Sequence, residues 1–204
     1  KRRLTLKGGG EIYETLTKIN TDGTVSPLLA EGWDVSPDLR TYTFRLKKGV
    51  KFHNGDPFTA EDVKFSIEKV VTPYHSRGKT YFGEVAGIDT PAPHTVILTL
   101  NSADGNFPFR MGENTAVILD PKTAANTASR PVGTGPFRFE DWKKGASITL
   151  VKADTYRDAK NVKLNRVTFR FINDPAAQVA ALLAGDVDGI PRFGALQSLK
   201  QFQS

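Results

Sequence analysis

The chain has 204 residues, 39% hydrophobic and 25% charged, a composition that suits a globular protein long enough to bury a substantial core. Its net charge is +6, but 28 basic residues are scattered among 22 acidic ones, which favours a solvated basic surface over a nucleic-acid interface. No cysteine is present, so disulfides, thiolate metal sites, cysteine nucleophiles and a lipidated cysteine are excluded within this stretch, and no apolar run approaches the roughly 20 residues of a membrane span.

Lys1-Arg2-Arg3 leads into too few apolar residues to form an export signal. Leu4-Thr5-Leu6 suggests a short strand cut off by Gly8-Gly9-Gly10, and residues 11–18 a short helix. After a turn at Thr21-Asp22-Gly23, Pro27 opens a helical turn over Leu28-Leu29-Ala30 that Gly32 ends. Trp33-Asp34-Val35 begins a strand and Ser36-Pro37-Asp38 turns it. Tyr42, Phe44 and Leu46 then alternate with Thr43, Arg45 and Lys47, the period of a half-buried strand. The alternation resumes at Val50-Lys51-Phe52, ahead of the turn formers His53-Asn54-Gly55-Asp56-Pro57. Thr59 with Asp62 three places on makes a capping box, Asp standing in for Glu, for a helix that buries Val63, Ile67, Val70 and Val71.

Residues 72–87 are polar and punctuated by glycine. Residues 95–100 read as a strand whose consecutive apolar side chains suggest burial on both faces. A loop over 101–106 leads to a short helix within 107–114 and on to Val117-Ile118-Leu119. The polar connector 120–130 marks a domain boundary. Pro131 to Pro136 is a rigid lead-in to a strand at Phe137, and further strands fall at 147–152 and 167–171. Asn173-Asp174-Pro175 starts a helix that Gly185 stops, and Val187-Asp188-Gly189-Ile190 is the next strand. Strands and helices mix without strict alternation, so the fold class is mixed α/β (α+β).

Five segments in order carry a resemblance. They are IYETL at 12–16, PLLAEGWDVSPDLRTYTF at 27–44, RLKKGVKFHNGDPFTAEDVKFSIE at 45–68, PVGTGPFRFEDW at 131–142 and AALLAGDVDGI at 180–190. Together they resemble the extracellular solute-binding proteins of the peptide/nickel class, which feed ABC importers. The resemblance implies part of a type II-like periplasmic-binding-protein fold. Residues 1–32 and 131–204 would form most of a first lobe and 33–130 an inserted second domain, with the ligand-closing lobe following Ser204. The longer segment that the family places before IYETL is missing here or replaced by Gly8-Gly9-Gly10.

By that resemblance the ligand is a di- or oligopeptide, captured outside the cytoplasmic membrane by hinge closure and passed to the permease subunits of an ABC transporter. Location would be periplasmic, or that of a cell-surface lipoprotein in a Gram-positive organism. Membrane contact would be indirect, through the permease or an upstream lipid anchor, and no nucleic acid, cofactor or catalysis is implied. The 204-residue chain alone would bind ligand weakly or not at all. Rival cargoes are a nickel chelate, an opine or an oligosaccharide, and a rival role is the solute-sensing domain of a regulator.

The remaining constellations are weak. His53, His75 and His94 match no zinc spacing and fall in turns. Gly133-Thr134-Gly135 lacks the third glycine and the lysine of a phosphate loop, so a tight strand lead-in is the simpler reading. Glu61-Asp62 belongs to a helix's first turn, and Glu140-Asp141 is a solvated pair. For ligand contacts the candidates are Arg110 and Asn114 from the second domain, and Ile190, Pro191, Arg192 and Phe193 where the chain would cross to the other lobe. Arg192 could pair a ligand carboxylate, but a solvated arginine near a chain end is the simpler reading.

Overall fold

The computed structural model describes residues 11–191. Leu4-Thr5-Leu6, the three glycines after it, Arg192 and Phe193 lie outside that range. The chain divides into two compact units. One takes in the described residues up to Phe139 together with Leu150–Arg166; the other takes Glu140–Thr149 and the described residues from Val167 onward.

The first unit is organised on a four-stranded antiparallel sheet of order β3–β4–β6–β5, made of β3 (Ala30–Val35), β4 (Thr41–Leu46), β5 (Val85–Ala92) and β6 (Thr95–Leu100). The alternation along β4 is realised: Tyr42, Phe44 and Leu46 are buried while Arg45 is exposed. Phe44 pairs with Val96 and Tyr42 with Leu98, so the buried face continues across the sheet. Burial on both faces of β6 fails. Val96, Leu98 and Leu100 are buried but Thr95, Ile97 and Thr99 are only half-buried, because the covering elements pack on one side. Those elements are α1 (Ala60–Phe65), which continues through a wide π-type stretch Ser66–Val71 into α2 (Thr72–Tyr74), then α3 (Gly78–Phe82) and α4 (Phe107–Arg110). Val63, Ile67, Val71, Phe82 and Phe107 deliver the apolar cover. The Tyr42 and Phe107 rings sit 5.1 Å apart, and the Tyr42 hydroxyl donates to the Asp104 carbonyl at 2.6 Å, so this buried phenol keeps a partner.

The predicted cap holds. The Asp62 carboxylate accepts from the Thr59 amide at 2.7 Å and from its hydroxyl at 3.2 Å. Burial, opposed by those hydrogen bonds, leaves the Asp62 carboxyl above its ordinary pKa. The wide stretch begins at Ser66, whose hydroxyl donates to the Asp62 carbonyl at 2.6 Å and accepts from the Leu119 amide at 2.8 Å. One serine thereby ties the helix to Leu119.

Residues 11–18 do not form a helix. They run extended into β1 (Thr17–Ile19), which pairs with β2 (Val25–Pro27). The reason is where the carbonyls go. Glu11 accepts from Phe137, Ile12 from Gly135, Glu14 from Ile118, Thr15 from Leu29, and Leu16 from both Leu28 and Ala30. Partners far along the chain occupy the groups that a helix would bond internally, an instance of tertiary context overriding local propensity. The same bonds remove the helical turn expected at 28–30, since those amides donate to Thr15 and Leu16.

Gly133 and Gly135 exist for this crossing. A Cβ on Gly133 would lie 2.1 Å from the Ile12 carbonyl oxygen, and one on Gly135 would lie 2.5 Å from that of Glu11. His53 locks the junction. Its Nε2 donates to the Gly135 carbonyl at 2.9 Å while its Nδ1 accepts from the Gly133 amide at 3.3 Å. Burial holds the imidazole below its ordinary pKa, the Gly135 bond only partly opposing it.

A third sheet has the order β7–β8–β9, from β7 (Phe137–Lys143), β8 (Ser147–Lys152) and β9 (Arg166–Arg170). In the second unit, α5 (Pro175–Leu183) starts as expected: the Asp174 carboxylate accepts from the Ala177 amide at 2.7 Å with Pro175 at the first position. It stops at Gly185, whose φ is +74°. The strand expected at 187–190 is absent, because the Asp186 and Val187 amides fold back to the Ala181 carbonyl and close the helix end.

Candidate functional site

A cavity of about 580 Å³ opens within the first unit. Its walls include the extended segment and β1 (Glu14, Thr15, Lys18, Ile19), the turn after α4 (Gly112, Glu113, Asn114), Tyr156 in the loop after β8 and Arg77 ahead of α3. The turn after α4 is held against β1 by a close approach. A Cβ on Gly112 would meet the Thr17 hydroxyl at 2.9 Å, and that hydroxyl donates to the Pro108 carbonyl at 2.6 Å. The glycine thus lets Glu113 and Asn114 reach the wall.

Behind the cavity lies a buried ion pair. Glu14 is 3% exposed, and the Arg157 guanidinium grips both its oxygens, Nη1 to Oε2 and Nη2 to Oε1, each at 2.7 Å. The Thr134 hydroxyl adds a third donor to Oε2 at 2.9 Å. This is the bidentate geometry that suits guanidinium to carboxylate. Burial by itself would lower the Arg157 pKa, but the hydrogen bonds and charge of Glu14 outweigh it and hold it above its ordinary value. Arg157 also lies over the Tyr156 ring, 4.9 Å from its centre. Burial, and then the Glu14 charge, raise the Tyr156 pKa. The wall therefore sets charged groups beside the apolar Ile19, Leu28 and Pro136, and its Glu14 carboxylate is already neutralised.

The candidate residues scatter. Asn114 lines the cavity and is exposed. Arg110 does not line it. Its Nε pairs with Asp104 at 2.9 Å and its guanidinium lies 5.8 Å from the Tyr81 ring centre, so it braces α4 against α3. Ile190 is half-buried and Pro191 exposed, both in the second unit. The three histidines serve separate local purposes: His53 as above, the His75 Nδ1 accepting from the Arg77 amide, and the His94 carbonyl accepting from the Leu46 amide. Sequence reasoning missed Glu14, Arg157 and Glu113. Glu14 and Arg157 are 143 positions apart, so no local pattern links them.

Residues 24–204 match the family model described as bacterial extracellular solute-binding proteins, family 5 Middle. Di/tripeptide-binding protein 1 of Pseudomonas aeruginosa is 34% identical over 93% of this chain, which spans 41% of that relative. Among solved structures, AgaA of A. tumefaciens R10, in complex with agropinic acid, superposes with a TM-score of 0.76 at 36% identity. That match covers 86% of this chain and 37% of AgaA. NikZ of Campylobacter jejuni, in complex with Ni(L-His), gives a TM-score of 0.78 at 27% identity over 87% of this chain and 37% of its own. The chain thus spans about two-fifths of the length of such relatives. Among the described residues no helix is long and apolar enough to cross a membrane.

Proposed function

Because the chain belongs to the family 5 bacterial extracellular solute-binding proteins, we propose that it is the ligand-capturing part of an ABC importer's binding protein and that its cargo is a di- or oligopeptide. The observation that carries this reading is the cavity. At about 580 Å³ it falls within the range of small-ligand sites, and its wall combines carboxylate, cationic and amide side chains, the chemistry that a charged and amide-rich solute requires. The peptide-binding relative supports that cargo.

In this reading residues 1–32 and 131–204 belong to a first lobe and 33–130 to a second domain, with a further lobe supplied by a longer protein. Ligand would bind both sides of the cleft and shift the population toward a closed form, which a permease recognises outside the cytoplasmic membrane. Asn114 would offer the ligand an amide from the wall, and Ile190 to Phe193 would lie on the path toward the closing lobe. Arg110, already paired with Asp104, would support that wall indirectly.

A second reading gives the cleft an opine or a metal chelate. It is favoured by the 36% identity to the agropinic acid complex, slightly above that to the peptide-binding relative. A thermal-shift panel on the full-length protein separates the two. Peptides should raise the melting temperature at micromolar concentration; a shift with opines or nickel–histidine and none with peptides would transfer the cargo to the second reading.

A further inference from the structure

Two carboxylates line the cavity, and they differ in kind. The oxygens of Glu14 are occupied by Arg157 and Thr134. Glu113 has no such partner: its Oε2 is buried and accepts no hydrogen bond. Glu113 is half-exposed, but a carboxylate oxygen that is itself stripped of water and left without a donor is unfavourable, and native structures retain such atoms where something else completes them. Its backbone is fixed on both sides, the Glu113 amide donating to Arg110 and its carbonyl accepting from Ala116. Nearby cations do not relieve it. Arg77 is turned to Tyr81, with Nη1 3.2 Å from the hydroxyl and the guanidinium 5.2 Å from the ring centre. Among the described residues neither Arg77 nor Lys18 forms an ion pair with Glu113.

We propose, building on the solute-binding reading above, that Glu113 is a specificity-determining residue that takes a cationic group of the ligand, an ammonium or guanidinium, at the cavity wall. The neutralised Glu14 leaves Glu113 as the acid available to a ligand cation there. Charge-assisted hydrogen bonds of this type make the difference between a ligand that carries the cation and an isostere that lacks it.

The test uses calorimetry on the full-length protein with a lysine-containing dipeptide, its N-acetyl form and its norleucine analogue, on the parent and on Glu113→Gln. The parent should lose at least about tenfold in affinity for one of the two altered ligands, and Glu113→Gln should lose a similar factor for the unaltered peptide while no longer discriminating. Sensitivity to acetylation assigns the cation to the α-ammonium; sensitivity to norleucine assigns it to the side chain. Glu113→Asp, which keeps the charge, should retain the discrimination and covers the case in which Gln does not fold. If Glu113→Gln binds the unaltered peptide with parent affinity or still discriminates as the parent does, or if the parent binds all three peptides alike, the proposal is overturned while the solute-binding reading stands. If the parent binds no peptide of any kind, the peptide cargo falls and this proposal with it, while solute binding passes to the opine or chelate reading.

Discussion

Replacing Arg157 with Met tests the buried pair behind the cavity. The substitution removes both 2.7 Å bonds to a carboxylate that is 3% exposed, leaving Glu14 with the Thr134 hydroxyl alone. Removing one partner of a buried pair costs about 3–5 kcal/mol, since the surviving charge is left uncompensated. The Arg157 side chain is itself 23% exposed, so water reaches the site and the lower end, about 3 kcal/mol, is expected. In urea, with a slope of about 2 kcal/mol per molar, that moves the unfolding midpoint down by about 1.5 M. The double variant Glu14→Met/Arg157→Met removes both charges and should be more stable than the sum of the single losses requires, by roughly 2 kcal/mol. The reasoning is refuted if Arg157→Met leaves the midpoint in place, or if the two single losses simply add.

Three further outcomes follow from the crossing and the caps. Gly133→Ala forces a methyl to within 2.1 Å of the Ile12 carbonyl oxygen, so it should destabilise by at least about 2 kcal/mol in urea, whereas Gly87→Ala, with open space around it, should cost far less. The folded-state pKa of His53 is depressed by burial, so the unfolded chain binds the proton more readily. Its contribution is therefore complete above the unfolded value, about 6.5, and is lost as pH falls through the folded value; His53→Gln should flatten the acid limb of a stability–pH curve. Asp174→Ala deletes the 2.7 Å cap on the Ala177 amide and should cost about 1 kcal/mol, read as faster amide exchange in the first turn of α5.

What the sequence made legible was local. The alternation at Tyr42, Phe44 and Leu46, the Thr59–Asp62 cap and the Asp174-Pro175 start each declare themselves within five residues, and each is found in place. The strand expected at 187–190 fails locally, because Val187 bonds back to Ala181 and closes the helix end. Residues 11–18 and 28–30 fail because their backbone groups bond to one another and to Ile118, Gly135 and Phe137, partners that no short window contains. Most of the cavity wall was illegible for the same reason. Asn114 and its neighbour Glu113 both sit beside a recognisable short helix, though only Asn114 is singled out from sequence, whereas Glu14 and Arg157 meet only after folding. The glycines of residues 133–135 were correctly read as a lead-in, yet the carbonyls they make room for emerged only with the fold.

The central claim is that the chain belongs to a catcher rather than to a catalyst. Its most direct test is titration calorimetry of the full-length protein with di- and tripeptides, followed by mass spectrometry of the recovered ligand. The account predicts saturable binding of one ligand per molecule, the ligand returned chemically unchanged, and much weaker binding by the 204-residue chain alone. Conversion of the ligand into a product, or a full-length protein that takes up no solute of the peptide, opine or chelate classes, would contradict it.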